Sequence, residues 1–431
     1  MSMDGAEREQ AIKSALDLYD STNAKRTLTV DFRGAPLDLP VITIPPMVPV
    51  LNHDNNRLAA QLIDHPKVNL VQNDPLSPEA QAVIASVLAA TSDFEQLKAE
   101  LKQVGQKDPG LITRDGLLIN GNTRAVALRE LNTAGMFVAV LPAGVLPDDI
   151  INLEVDLQMV KKTHQDYTFT NQLLLLERLK ATYTNPIDLA KRMNWIKNGA
   201  KKVAQHSRIL SIINEVRALE PANPFPYSFF DSKSEHLKNL DDEYQKLVAT
   251  NVADAEMMKW SRLSAMLLGV AKDQVREIDE DFIAEEVVKR LQDDEALKVL
   301  SSSDKVEDDG LGELLGKSEE NFDLKKVAKM LVQQKMNLEV SVDGEPIKED
   351  TLHEIETAIR LAAEDRITQQ KLANYLAEPS DVLRETRIGL ERILEQYVQI
   401  SSTSGFDKGK FGFELGKVTK AIAELEKKYK A

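Results

Sequence analysis

Hydrophobic residues recur at two different spacings along the first third of the chain. A helical period covers residues 4–20, and residues 26–44 alternate as extended strands do around a turn at Gly34–Pro36. Helical patterns then occupy 77–91, 92–105 and 123–131, while the short apolar runs at 116–119 and 136–142 are typical of buried strands. The pattern predicts an N-terminal helix and extended hairpin arm over 1–45, followed by an α/β module over 46–150.

The rest of the chain is predicted to be mostly helical. Turn residues at Thr184–Pro186, Asn198–Gly199 and 221–228 interrupt the helical period, and Asp343–Gly344 predicts one hairpin. The predicted divisions are a helical linker with a helix-turn-helix (151–220), a helical domain (221–300), an acidic linker (301–321) and a C-terminal helical domain (322–431). The predicted fold class is therefore an α/β domain followed by mostly α-helical domains.

Composition excludes several kinds of chemistry. The chain has no cysteine, so disulfides, thiolate catalysis and Cys-ligated metals are excluded, and its six histidines are scattered. No run approaches the ~18 apolar residues that a membrane span needs. The first residues, MSMDGAEREQ, lack the basic and apolar regions of a secretory signal. A cytoplasmic protein without membrane partners is expected.

Charge is distributed unevenly. The net charge is −15, yet residues 180–217 carry eight Lys/Arg against two Asp/Glu. Residues 277–323 carry seventeen Asp/Glu against five Lys/Arg. One local basic surface in an acidic molecule indicates a local contact with nucleic acid, and the acidic helical C-terminal part is a candidate surface for a protein partner.

The most informative stretch runs from Phe94 to Leu131, where a helix, a loop with Pro109 and a short strand lead into Asn120-Gly121 and a second helix. A glycine at such a turn lets the backbone approach a ligand, and the N–H groups of the following helix favour phosphate. Asn122 and Thr123 are expected to cap that helix, and Arg124 to reach an anion. A capped helix after a turn, without a ligand, is the alternative.

The order of these residues resembles the N-terminal domain of ParB proteins. The family pattern of a helix with Phe and Leu, a Gly, a Pro, a short strand and G-x-R-R-x-x-A is matched by residues 94–127, with Thr123 in place of the first arginine. Asn52 and Arg57 keep the spacing of the first ParB box without its prolines. The resemblance implies a ParB/sulfiredoxin-like fold that binds ATP or CTP with Mg²⁺. The implied contacts are Asn52, Arg57, Pro109, Asn120, Gly121, Asn122, Thr123 and Arg124.

Two features of the wider superfamily are missing. Sulfiredoxin has a catalytic cysteine where this chain has Asn122, so sulfinic-acid reduction is excluded. The E-N-x-x-R motif of ParB is absent from the next helix, where Glu154, Gln158 and Lys161 share one face. These three residues are either ligand contacts, with Glu154 as a candidate for nucleotide-bound Mg²⁺, or a solvated face.

Residues 185–217 resemble a helix-turn-helix that follows the ParB-like module, as it does in ParB itself. Apolar residues such as Val203 and Ile209 are predicted to face inward. The candidate DNA contacts are Lys191, Arg192, Lys201, Lys202, Gln205 and Arg208, four of which (201, 202, 205 and 208) are predicted to face outward on the second helix. A plain helical hairpin with a solvated basic face is the alternative.

Three functions remain open on this basis. The first is a nucleotide-dependent DNA-binding accessory protein of ParB type that acts in partition, regulation, DNA modification or phage defence. Such a protein would be associated with the nucleoid or a plasmid and could form a homodimer. The second is an enzyme that hydrolyses ATP or CTP or cleaves DNA beside a DNA-modifying partner. The third is a structural adaptor with a vestigial pocket. A phosphate-binding loop at 310–318 is discounted because the glycine spacing fails.

Overall fold

The computed structural model of the chain describes residues 3–23, 25–160, 167–195, 197–301, 322–401 and 406–429. At 158–160, 371–378, 382, 385 and 398–400 it describes the backbone alone. Residues 1–362 form one compact unit and 363–431 form another. Within the described parts of the chain, no helix has the length and apolar character needed to cross a membrane.

A six-stranded mixed sheet is the centre of the N-terminal part. Its strands are β1 (Thr27–Phe32), β2 (Ala35–Ile44), β3 (Val50–Leu51), β4 (Gly110–Ile112), β5 (Leu117–Asn120) and β6 (Met136–Val140). Their order across the sheet is β1-β2-β6-β4-β5-β3. The β6–β4 and β5–β3 pairs are parallel and the others antiparallel. The two strands of the predicted N-terminal arm are thus part of the same sheet as the α/β module.

Helices cover both faces of this sheet. They are α1 (Gly5–Ser21), α2 (Ala59–Ile63), α3 (Val68–Asn73), α4 (Pro78–Ala89), α5 (Phe94–Val104), α6 (Asn122–Glu130) and α7 (Pro147–Val160). Successive residues of β6 pack into two different hydrophobic cores. Val138 packs in the core formed with α1, α4 and α6, and Ala139 packs in the core that contains Leu153 of α7. This two-residue alternation is what a strand covered on both faces requires.

Local sequence explains where these elements begin. Asp4 and Glu7 form a reciprocal capping box at the start of α1, and Ser77 accepts a hydrogen bond from the Ala80 N–H at the start of α4. The β1–β2 turn lies at Arg33–Gly34, where both φ angles are positive at 55° and 81°. The turn predicted at Gly34–Pro36 is therefore one to two residues too late, because the positive φ values that a tight hairpin requires fall on Arg33 and Gly34.

The predicted helical region follows the sheet. Its helices are α8 (Phe169–Lys180), α9 (Pro186–Arg192), α10 (Gly199–Arg217), α11 (Ser234–Leu247), α12 (Val252–Leu267), α13 (Lys272–Arg276), α14 (Asp294–Leu300), α15 (Leu324–Lys335), α16 (Glu349–Ser401) and α17 (Lys408–Tyr429). One apolar cluster joins α7, α8, α9 and α10. The predicted hairpin is present as β7 (Ser341–Val342) and β8 (Glu345–Pro346). An α/β region followed by mostly helical regions is confirmed.

Candidate functional site

A cavity of about 690 Å³ opens beside the start of α6. One wall is the face of α5 that carries Gln96 and Glu100, and the loop with Lys107 and Asp108 forms another. Asn55 and Arg57 reach it from the segment before α2. Five predicted contacts lie together along its floor: Asn120, Gly121, Asn122, Thr123 and Arg124.

Gly121 sets the shape of this floor. Its φ and ψ of 94° and 17° are left-handed, and a Cβ there would lie 3.2 Å from the Gly110 Cα. Gly121 is itself the N-cap of α6, and no side chain in the described chain caps that helix. The expectation that Asn122 or Thr123 caps α6 is therefore wrong, because the cap position falls one residue earlier. The first N–H groups of α6 retain the positive end of the helix dipole beside the cavity.

Arg124 extends from the first turn of α6 toward the loop that follows α5. Its Nη1 donates to the Asp108 carbonyl oxygen over 2.6 Å. Burial lowers the pKa of Arg124, and the carboxylates of Asp108 and Glu100 offset part of that effect. A half-buried cation with one backbone acceptor retains donors for an anionic ligand.

Arg57 supplies a second half-buried cation. Burial lowers its pKa, and Tyr167, Asp93 and Glu154 act in the opposite direction. The backbone around Arg57 is fixed by Asn171 of α8, whose Nδ2 donates to the Arg57 carbonyl oxygen over 2.7 Å. The Asn171 Oδ1 accepts from the Ala60 N–H over 2.8 Å, and Asn171 is fully buried. The position of Arg57 therefore depends on a helix outside the sheet region.

Asn52 and Asn122 hold the backbone. The Asn122 Oδ1 accepts from the Asn52 N–H over 2.9 Å, and its Nδ2 donates to the Leu118 carbonyl oxygen over 2.9 Å. Both asparagines are buried, at 1% and 3% exposure. These bonds tie the segment after β3 to the end of β5, so the Asn122 side chain has a structural role beside the cavity. Asn52 is not among the lining residues.

Glu154 is buried between α7 and the segment before α2. Its two carboxylate oxygens accept from the N–H and the Nδ2 of Asn56, both over 2.9 Å. Burial raises the pKa of Glu154 to about 7, while the Asn56 hydrogen bonds and the charge of Arg178 oppose that rise. Both oxygens are engaged and Glu154 does not line the cavity, so the geometry does not favour the predicted metal role.

The other predicted contacts divide into two groups. Pro109 precedes β4 and is outside the cavity lining. The side chain of Gln158 and all of Lys161 lie outside the described residues, as does the segment 310–318. In the described part of the chain, no group of three His, Asp or Glu side chains has the arrangement of a metal site.

The α5 wall of the cavity was not predicted from the sequence. One face of this helix lines the cavity, because its lining residues are three and four positions apart: Asp93, Gln96, Leu97, Glu100 and Leu101. That spacing, next to the predicted floor, is the signal that was available. The lining contains three basic side chains (Arg57, Lys107 and Arg124) and three acidic ones (Asp93, Glu100 and Asp108).

The predicted DNA contacts lie on α9 and α10, and they fall into two sets. Lys191, Lys201 and Lys202 are exposed, together with Lys197, which the sequence did not single out. We call these four side chains the lysine cluster. Within the part of the chain that the structure describes, Lys191 is the one member of the cluster with an ion pair, at 3.2 Å from Asp188.

The remaining three predicted contacts bond to other helices. Arg208 donates from Nε and Nη2 to both oxygens of the fully buried Asp241, each over 2.7 Å. The Gln205 Nε2 donates to Asp242 over 2.9 Å, and Arg192 pairs with Asp156. The predicted outward orientation is therefore wrong for Gln205 and Arg208, which face α11 because its Asp241 and Asp242 supply their acceptors.

Comparison with known proteins adds no further assignment. No protein-family model matches the chain, and no curated protein matches it.

Proposed function

We propose that the cavity beside α6 binds the phosphates of a nucleoside diphosphate or triphosphate. The observation that carries the proposal is the meeting of three features in one cavity: the uncapped start of α6 at Gly121, and the half-buried cations Arg124 and Arg57. Helix N-termini and arginine guanidinium groups are both well suited to bind phosphate, the first through free N–H groups and the second through paired charged donors. The volume of about 690 Å³ is within the range of small-molecule pockets.

The balance of charges in the lining bears on the form of the ligand. Three acidic side chains neutralise three basic ones, so the lining has little net charge to offset a bare triphosphate. A nucleotide that arrives with Mg²⁺, as in our expectation of Mg-ATP or Mg-CTP, carries much less net charge than the free anion. Asp93 and Glu100 on the α5 wall are then available as acceptors for hydroxyl or amino groups of the ribose and base.

The proposed role of the whole chain is that of a nucleotide-dependent DNA-binding accessory protein of ParB type. The lysine cluster supports it, because four exposed cations surround the turn before α10 and the start of a recognition helix is where such proteins meet DNA. Lys191, Lys201 and Lys202 remain candidate contacts and Lys197 is added to them. Arg192, Gln205 and Arg208, which bond to other helices, are not among the proposed contacts. In this proposal α9 and α10 act as the helix-turn-helix.

Nucleotide hydrolysis is a second candidate function. The carboxylates of Asp93, Glu100 and Asp108 line the same cavity as the two arginines, so acidic groups lie near the proposed phosphates. Release of inorganic phosphate from ATP or CTP, measured with and without DNA, distinguishes a hydrolase from a binding protein.

Titration calorimetry with Arg124→Ala tests the nucleotide site. Loss of a charge-assisted bond should weaken the binding of ATP or CTP by about 1.5–3 kcal/mol, which is roughly 10- to 150-fold. Arg114→Ala is the matched control, because Arg114 is exposed on the β4–β5 turn outside this cavity. If the wild-type protein binds none of ATP, CTP and GTP, or if Arg124→Ala binds as tightly as Arg114→Ala, the proposal is wrong.

A further inference from the structure

Asp93 carries an unpaired acceptor in the wall of the cavity beside α6. It is the residue immediately before α5, and it lines the cavity together with the α5 side chains Gln96 and Glu100. Its Oδ1 is shielded from solvent and accepts no hydrogen bond from any residue that the structure describes. Buried polar atoms of folded proteins nearly always have a partner, so an acceptor without one in a cavity wall indicates a donor on the ligand.

The backbone of Asp93 explains why its own helix does not use this carboxylate. Asp93 is the N-cap residue of α5, where an aspartate ordinarily accepts from an N–H group of the first helical turn. Asp4 and Ser77, which cap α1 and α4 in this way, have extended backbones with ψ of 171° and 148°. The ψ of Asp93 is 6°, and its side chain makes no capping hydrogen bond. The carboxylate is therefore left for the cavity.

The two other acidic side chains of the lining have different surroundings. Glu100 and Asp108 are both exposed, so water reaches their carboxylates whether or not a ligand is present. Asp93 is half-buried, and its Oδ1 is out of reach of water. A solvated carboxylate gains little from a ligand donor, because the donor only replaces water, whereas a shielded oxygen gains the whole hydrogen bond. A ligand donor is therefore worth most at Asp93.

Arg57 locates Asp93 relative to the proposed phosphates. Burial lowers the pKa of Arg57, and the charge of Asp93 is one of those that oppose this change, so the two side chains lie near each other. Both line the same cavity. In a nucleotide the ribose is bonded directly to the phosphate chain, and the base lies beyond the sugar. An acceptor next to a phosphate-binding cation therefore meets the ribose before it meets the base.

We propose that Asp93 accepts a hydrogen bond from a ribose hydroxyl and makes the site selective for ribonucleotides over deoxyribonucleotides. This contact depends on the nucleotide site proposed above and specifies which part of the ligand the α5 wall binds. A hydroxyl has the suitable chemistry, because it donates a hydrogen bond without adding a positive charge beside Arg57. A deoxyribose leaves the Asp93 Oδ1 without a donor, and a site with an unpaired buried acceptor disfavours such an analogue.

Titration calorimetry on the unmodified full chain tests the selectivity. ATP and CTP are compared with their 2′-deoxy and 3′-deoxy forms, each of which lacks a single hydroxyl. Loss of a hydrogen bond to a shielded carboxylate should weaken the binding of one or both deoxy forms by at least about 10-fold. Equal affinity for the ribose form and both deoxy forms overturns the ribose contact and leaves the proposed nucleotide site intact. A wild type that binds no nucleotide overturns both.

The Asp93→Ala variant assigns the selectivity to this residue. Its readout is the ratio of the dissociation constants of the deoxy and ribose forms, because the loss of a negative charge near the phosphates changes both constants alike and cancels in the ratio. The ratio should approach one in Asp93→Ala. A wild-type ratio in that variant overturns the proposal, and a ratio of one in Glu100→Ala would then identify Glu100 as the acceptor.

Glu95→Ala is the matched control for Asp93→Ala. It makes the same change of charge on the same helix, at a side chain that is 83% exposed and outside the cavity lining. The wild-type ratio should therefore be retained in Glu95→Ala. Loss of the ratio in both variants would mean that the selectivity follows the overall charge of α5 rather than a contact with Asp93, and this result also overturns the proposal.

Discussion

Burial controls the charge of Glu154, and this has a measurable consequence for stability. The pKa is raised from 4.5 to about 7, so the folded protein retains a proton that the unfolded chain has already lost. The free energy of unfolding should therefore fall as pH rises from about 4.5 to 7, by on the order of 3 kcal/mol from this residue. Glu154→Gln removes the ionisation, so its stability should lack that decline. Urea denaturation of both proteins between pH 4.5 and 8 measures the difference.

Glu79→Gln is the appropriate comparison for Glu154→Gln, because Glu79 is exposed at the start of α4. The informative quantity is the difference in the free energy of unfolding between each variant and the wild type, because that difference cancels the contributions of all other ionisable groups. Glu154→Gln also places an amide nitrogen near the Asn56 donors, which lowers its stability at every pH without creating a slope. Parallel pH profiles for the wild type and Glu154→Gln would show that the carboxyl does not titrate as its burial implies.

Some of the residues that line the cavity were predicted from sequence and others were not. Gly121 and Arg124 were located because a glycine at a strand-to-helix turn and a cation one turn later have a local physical meaning. Asn52 and Asn122 were predicted to contact the ligand, but an asparagine can bond a ligand or the backbone equally well and only the tertiary structure decides. Here their hydrogen bond links two segments that lie 70 residues apart in the chain.

At the scale of elements, the α9–α10 turn carries a prediction about DNA. Lys197, Lys201 and Lys202 are exposed, and replacing all three with alanine removes three potential phosphate contacts. The plot of log affinity against log salt should become shallower by about 2 to 3 units, with weaker binding to every duplex sequence. Mobility-shift titrations at two or more salt concentrations give this slope.

Two comparisons separate a local contact from a general change of charge. Lys25, Lys67 and Lys102 are exposed elsewhere, so their triple alanine variant makes the same change in net charge and should leave the slope intact. Arg208→Ala should instead destabilise the fold, because it leaves the buried Asp241 carboxylate without its guanidinium partner. Equal slopes for the two triple variants would exclude the lysine cluster as the DNA contact.

Elements were predictable where their pattern was long and local. The hydrophobic periodicity of the sequence was sufficient to predict α1, α4, α5, α6 and β6. The turn residues Asp343–Gly344 were sufficient to predict the β7–β8 hairpin. Strands β3 and β4 were missed because they contain two and three residues, too few to display alternation, and they exist only through pairing with β5. The outward face of α10 was misjudged because Asp241 and Asp242, which bond Arg208 and Gln205, come from a helix more than 30 residues later.

At the scale of the whole molecule, the cavity and the lysine cluster are joined by a chain of contacts within residues 1–362. Arg178 of α8 donates to the Asp54 carbonyl oxygen over 3.0 Å and to the Asn56 Oδ1 over 3.2 Å. The same segment, next along the chain, presents Asn55 and Arg57 to the cavity. Helix α8 packs in one apolar cluster with α9 and α10. A ligand that moves Arg57 is therefore expected to change the packing of α8 against α9 and α10, which carry the lysine cluster.

These contacts lead to a prediction of reciprocal coupling. If nucleotide changes the affinity for DNA by some factor, DNA must change the affinity for nucleotide by the same factor, typically about 5- to 150-fold. Arg178→Ala removes the bonds of Arg178 to Asp54 and Asn56 and leaves the Asn171–Arg57 bond in place, so it should reduce that factor toward one while each ligand still binds alone. Lys180→Ala, on the same helix and paired with Glu177 at 2.8 Å, should retain the wild-type factor. Nucleotide titrations with and without duplex DNA measure it. Full coupling in Arg178→Ala would mean that the signal reaches α10 by another route, such as the Asn171–Arg57 hydrogen bond or the ion pair between Asp64 and Arg217 at the far end of α10.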